Sequence, residues 1–220
     1  IVTPVFPEDA LNSGVFSLEE CINLYCREHD MPQAAGKRVM ADNLALAAMM
    51  VKTGIVHGMV AGISRATEEV LMICELIIGM EIDFNVISSF FLMDTPGFSG
   101  GENGNIVFAD PAVQPDPDAG QLADIAISTA RSVRDLFGWI PRVAMLSFST
   151  HGSSEHPRAA KVVKANEIVR NREPDLLVEG EIQADAALVA AVAEKKLSGP
   201  SSVAGKDKVI IFPDLDSATN

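Results

Sequence analysis

The sequence predicts an α/β protein: a three-layer α/β/α sandwich around a largely parallel sheet. Three observations carry that expectation. From residue 86 onward, short apolar β-branched runs alternate with amphipathic helical stretches, and strand–helix–strand order makes right-handed parallel units with helices on both faces. Of the 220 residues, 48% are hydrophobic and 21% charged, ample for a packed core and unlike a disordered chain. The turn formers fall between these stretches rather than inside them.

The elements follow in order. Residues 1–14 hold several turn formers and read as an irregular lead-in. Ser17, with Glu20 three positions on, caps a helix over residues 17–28. Asp42 caps a second helix, in which Leu44, Ala47, Ala48 and Val51 recur at helical spacing. Residues 55–61, β-branched and bounded by Gly54 and Gly62, predict a buried strand. A helix resumes at Thr67, with Glu68 and Glu69 in the turn where the dipole favours acids.

Residues 86–93 (VISSFFLM) predict a strand, 100–105 (GGENGN) a hairpin tip and 106–108 its return strand. Asp118 opens a helix with Gln121 at the capping-box position; Leu122, Ile125, Ala126, Ala130, Val133 and Phe137 share a face, and Gly138 ends it. Strands are expected at 143–148, 176–178 and 208–212. Helices are expected from Pro157 to before Pro174 and over 184–195.

With 17 basic against 30 acidic residues the net charge is −13, which repels phosphate backbones and argues against nucleic-acid binding. Cys21, Cys26 and Cys74 are too few and too unevenly spaced for a disulfide framework or zinc site, and read as free thiols of a reducing cytoplasm. No apolar run reaches the ~18 residues of a membrane span, and no signal peptide opens the chain. It begins with Ile1 rather than Met, so it reads as a fragment.

In parallel sheets, ligands bind beyond the carboxyl ends of the strands. Three predicted strand exits lie there. Ser147, Ser149, Thr150, His151, Gly152 and Ser153 precede a helix N-terminus, where hydroxyls and N–H groups suit an anion such as phosphate. An ordinary cap and turn would use the same residues. The second exit, read as a loop over 179–185, offers Glu181, Gln183 and Asp185; the third offers Asp214. Their carboxylates suit metal ligation or acid–base work, but also helix capping. His57, inside an apolar run, reads as a core histidine. G-x-G-x-x-G, Walker A and G-x-S-x-G motifs are absent.

Residues 88–93 (SSFFLM), 108–111 (FADP), 143–150 (VAMLSFST), 174–177 (PDLL), 180–187 (GEIQADAA), 203–206 (VAGK) and 211–215 (IFPDL) resemble phosphate acetyltransferases. They keep the family's order over Met49 to Ser217; residues 1–40 match poorly. The resemblance implies two α/β/α domains with the active site in the cleft between them. Residues 1–85 would then be part of the first domain and 86–220 most of the second. It also implies acetyl transfer between phosphate (as acetyl phosphate) and coenzyme A, which is a substrate, with no bound cofactor and no metal. A cytoplasmic homodimer is implied as well. The serine-rich loop corresponds to one beside the phosphoryl site, with His151 in place of the usual Lys or small residue. Arg65 and Thr67 are further cleft candidates.

Two departures stand out. Met72 occupies the position of a family arginine implicated in binding and catalysis, and Met offers no bidentate hydrogen bonds. The chain also stops at Asn220, short of a family Ser-Arg pair and Asp, so no catalytic residue is assigned and this chain alone is expected to show negligible transfer. A non-catalytic acetyl-CoA- or phosphate-binding module and a phosphate butyryltransferase are the alternative functions.

Overall fold

The computed structural model describes residues 3–219. The chain forms two compact units, Ile1–Glu81 and Ile82–Asn220.

The described residues of the first unit are helical: α1 (Pro7–Asn12), α2 (Leu18–Glu28), α3 (Gln33–Val39), α4 (Asn43–Lys52) and α5 (Thr67–Ile77). Ser17 and Asp42 cap α2 and α4 as expected, accepting from Glu20 N at 3.3 Å and Leu44 N at 2.9 Å. Their inner faces, with Cys21, Ile22, Tyr25, Met49, Met50 and Ile77, close a core of their own. Gly36 lets α3 approach α2, because a Cβ there would stand 2.5 Å from Cys26 Sγ. Three expectations are corrected. The described part of the lead-in contains α1, begun by Pro7 at a first-turn position, where a proline loses no helical hydrogen bond. α3 also went unpredicted. Residues 55–61 form no strand: Val60 is fully exposed, and no neighbouring strand exists in this unit among the described residues to take up its backbone groups.

The second unit is the three-layer sandwich. It runs β1 (Phe91–Asp94), β2 (Asn105–Ala109), α6 (Ala119–Phe137), β3 (Arg142–Leu146), α7 (Pro157–Arg172), β4 (Leu177–Ile182), α8 (Ala184–Leu188), α9 (Ala190–Lys196), β5 (Val209–Ile211) and α10 (Leu215–Thr219). The sheet order is β1-β2-β5-β3-β4; β1 pairs antiparallel with β2, and the other pairings are parallel. Strand alternation sorts the core. Val107, Val143, Met145, Val209 and Ile211 meet α6 and α7, whereas Ile106, Ala144, Leu146 and Ile210 join Ala186, Ala187 and Ala193 of α8 and α9. The path β2→β3→β4 runs one way across the sheet with its helices on one face. The return to β5 runs the other way with its helices opposite, as right-handed crossovers require.

α6 keeps its predicted ends: Asp118 and Gln121 form the reciprocal capping box and Gly138, at φ 68°, closes it. The 86–93 strand shrinks to β1, because Val86 and Phe90 pack against the core outside any ladder. The predicted 184–195 helix is interrupted at Val189, which has extended backbone. β4 continues to Ile182, so Glu179 and Glu181 belong to a strand rather than a loop. Its register against β3 shifts after Ala144↔Glu179, and Leu146 then faces Ile182. That irregularity places Val178 and Ile182, which share parity, in opposite cores.

Candidate functional site

The parallel strands bring their carboxyl ends to one edge, and there the exits of β3, β4 and β5 converge. A pocket of about 310 Å³ opens between them. Leu146, Phe148, Ala184, Phe212 and Pro213 make its walls apolar; Ser147, Asp214 and Ser217 add polar groups. Arg158 and Lys161 enter from the first turns of α7, three apart and therefore on one helix face. Phe148 is fixed edge-on against His156 at 5.5 Å, and Phe212 against Phe108 at 5.3 Å. Lys161 Nζ donates to Asp116 at 2.8 Å and to the Pro213 carbonyl at 2.9 Å. An ammonium has three donors, so one remains. That same hydrogen bond holds the Asp116 carboxyl below the usual carboxylate range.

The serine-rich loop is bolted to β4. Glu181, 3% exposed, accepts from Ser149 Oγ at 2.8 Å and Gly152 N at 2.7 Å. Ser149 is wholly buried and also accepts from Ser154 N at 3.1 Å. Ser153 Oγ accepts from Thr150 N at 3.0 Å, and Thr150 Oγ1 accepts from Gln183 N at 3.0 Å. The anion seated among these donors is thus the protein's own Glu181 carboxylate. His151 points elsewhere: its Nε2 lies 2.9 Å from Glu179 Oε1. Ser147 alone of these six residues lines the pocket.

The remaining candidates separate. Gln183 and Asp185 are joined by Lys196, which donates to both at 2.8 Å and thereby lowers the pKa of Asp185. Asp214 accepts from Ser217 N at 2.8 Å and so caps α10. Arg65 and Thr67 belong to the first unit, where Arg65 pairs with Asp42 at 2.9 Å and with Glu69. Met72, also there, is exposed on α5. Arg158 and Lys161 went unpredicted, although two cations three apart just after a helix-starting proline were a readable signal. Among the described residues no His/Cys/Asp/Glu group suits a metal ion, and no helix is long and apolar enough to cross a membrane.

An open α/β edge with cations beside an apolar pocket is the setting of a small-molecule, anion-handling protein. The family model described as phosphate acetyl/butaryl transferase matches residues 15–220, and the chain belongs to that family. It is 46% identical over 181 residues to a phosphate acetyltransferase of Thermoanaerobacterium thermosaccharolyticum, covering 82% of this chain and 55% of the relative. To one of Acetivibrio thermocellus it is 42% identical over 216 residues, covering 97% of this chain and 64% of the relative. The crystal structure of a phosphotransacetylase from Streptococcus pyogenes matches with a TM-score of 0.81 at 34% identity, over 92% of this chain and 60% of that one. The chain therefore spans a little over half to two thirds of the length of these relatives.

Proposed function

We propose that the protein moves an acetyl group between phosphate and coenzyme A, and that the pocket at the β3 and β5 exits receives the phosphoryl end of acetyl phosphate. The carrying observation is the pairing of Arg158 and Lys161 with an apolar wall in one 310 Å³ pocket. In this reaction the thiol sulfur gives up its proton and bonds to the acetyl carbonyl carbon, and phosphate departs with the electron pair of the broken C–O bond and takes up that proton. The spare Lys161 donor and the Arg158 guanidinium would hold that phosphate as its charge grows. Ser147 would add a hydroxyl, and the Leu146, Phe148 and Phe212 walls would exclude water from the acyl carbon. The Ser149–Ser153 loop would then act as the pocket's frame rather than its donor set. We assign the first unit to part of one family domain and the second to most of the other, in a cytoplasmic protein whose partner is a second copy.

The test is titration calorimetry with inorganic phosphate and acetyl phosphate, alongside thioester formation from acetyl phosphate and coenzyme A. Arg158→Ala should weaken phosphate binding about tenfold, the value of one charge-assisted contact. Unchanged affinity removes the pocket from the proposal. Met72, standing where the resemblance puts an arginine, favours a second reading, a binding module of this fold. Tight phosphate and coenzyme A binding without thioester formation, in a protein extended to the full length of the relatives, would select it.

A further inference from the structure

The loop after β3 is held by contacts of unequal kind. Most are neutral hydrogen bonds or backbone bonds, which do not respond to mild changes of pH. One does respond. His151 Nε2 faces Glu179 Oε1 at 2.9 Å, with the imidazole side chain 42% exposed and the carboxylate 14%. His151 holds a left-handed backbone at φ 46°, which a β-carbon disfavours, so neighbouring contacts must sustain it. Those contacts all run to one strand: His151 N to the Glu181 carbonyl at 3.1 Å, Gly152 N to the Glu181 carboxylate at 2.7 Å, and the imidazole to Glu179.

We propose that His151 is a positioning residue whose protonated imidazole clamps the Ser149–Ser153 loop onto β4 through Glu179, and whose deprotonation slackens that loop next to the pocket-lining Ser147 and Phe148. An imidazolium beside a carboxylate makes a charge-assisted contact; the neutral ring keeps only an ordinary one. Glu179 is anchored to serve as the fixed jaw. Ser201 Oγ donates to its other oxygen at 2.9 Å, and Arg170 of α7 stands 3.8 Å from Oε1. Behind it lies Asp207, 1% exposed, both of whose oxygens lack a hydrogen-bond partner, with Arg142 as its nearest countercharge. Burial first, and then the Glu179 charge, push the Asp207 pKa up to about 9, so Asp207 stays neutral from pH 5.5 to 8. The other imidazole near the loop is that of His156, which faces Phe148 and accepts from Arg158 N. The clamp rests on the proposed function only for what the loop serves; its existence is tested without turnover.

The test is amide hydrogen exchange of Gly152 and Ser154, followed by NMR on this chain from pH 5.5 to 8 and corrected for intrinsic exchange. Protection of Gly152 should fall about three- to tenfold as pH rises, the range of a half-exposed ion pair. Core amides of β5 should not change. His151→Lys, which keeps its charge, should hold the low-pH protection throughout; Glu179→Gln should hold the high-pH value throughout. A flat wild-type profile overturns the proposal, and does so even if neither variant folds. A step surviving in Glu179→Gln also overturns it, because the pH dependence would then not run through the His151–Glu179 contact. Failure of acetyl transfer, by contrast, would leave these exchange rates untouched.

Discussion

Replacing Glu181 exposes how the loop at the sheet edge is held. Its Oε1 accepts both Ser149 Oγ at 2.8 Å and Gly152 N at 2.7 Å, in a site from which water is nearly excluded. Glu181→Ala leaves both donors without that acceptor, and a stranded buried polar group costs about 1–3 kcal/mol. The sum is about 2–6 kcal/mol, to which lost side-chain packing adds little at a strand end. Glu181→Gln keeps an oxygen facing both donors and forfeits only the charge. Each bond then weakens by about 1 kcal/mol, offset in part by the relieved burial of a carboxylate, for a net of about 1 kcal/mol. Urea unfolding followed by tryptophan fluorescence suits the measurement. Trp139, the only tryptophan, lies in the second unit, 5.0 Å from the Phe137 ring and packed on the core under α6. The emission therefore reports this unit. The expected order is wild type, then Gln, then Ala, with unequal steps. The reasoning fails if Ala and Gln are equally destabilising, since the acceptor would then matter no more than the charge. It fails equally if Ala stays within about 0.5 kcal/mol of wild type, the range of an ordinary surface change.

Gly180→Ala should destabilise the second unit by about 1–3 kcal/mol in the same urea assay, because the new Cβ would meet Met145 Cβ at 2.8 Å and its carbonyl oxygen at 3.0 Å. Asp207 sets a pH slope. Its folded pKa of about 9 lies above the unfolded value near 3.8, so the folded state holds the extra proton between them. Stability should be complete below the lower value and fall as pH rises toward the upper one, by at most about 1.4 kcal/mol per pH unit; Asp207→Asn should flatten melts compared at pH 5 and pH 8. Asp118→Ala removes the α6 capping box, with Gln121 N at 2.9 Å from the lost oxygen, and should cost about 1 kcal/mol in urea without altering phosphate affinity.

What the sequence disclosed, and what it hid, follows from the range of the interactions involved. The α6 ends were legible because their determinants are local: Asp118 and Gln121 bond each other across one turn, and Gly138 supplies its own left-handed backbone. Residues 55–61 had the composition of a strand but no partner strand, and a strand is a property of two segments. The carboxyl half of β4 failed the opposite way. Glu179 and Glu181 read as loop because carboxylates are seldom buried, yet Glu181 is made tolerable by donors about thirty residues earlier in the chain. Nothing within the 179–185 stretch announces that arrangement. The site divides along the same line. The serine-rich loop was found by its local composition and helix start, whereas the direction of its hydroxyls depends on the strand beside it.

That dependence bears on how an anion site should be recognised. Serines, a glycine and a following helix supply donors, but donors alone do not make a vacancy for phosphate. Here the buried carboxylate of Glu181 takes the two strongest of them, so an external dianion competing there would face a fixed negative charge in a poorly solvated setting. A few residues along, Lys161 has a donor to spare beside Arg158 and an apolar wall, the donors to which the proposed function assigns the phosphate. Internal satisfaction of the loop by Glu181 and Glu179 therefore fits the proposed reading, in which the α7 cations rather than the loop donors meet the phosphate.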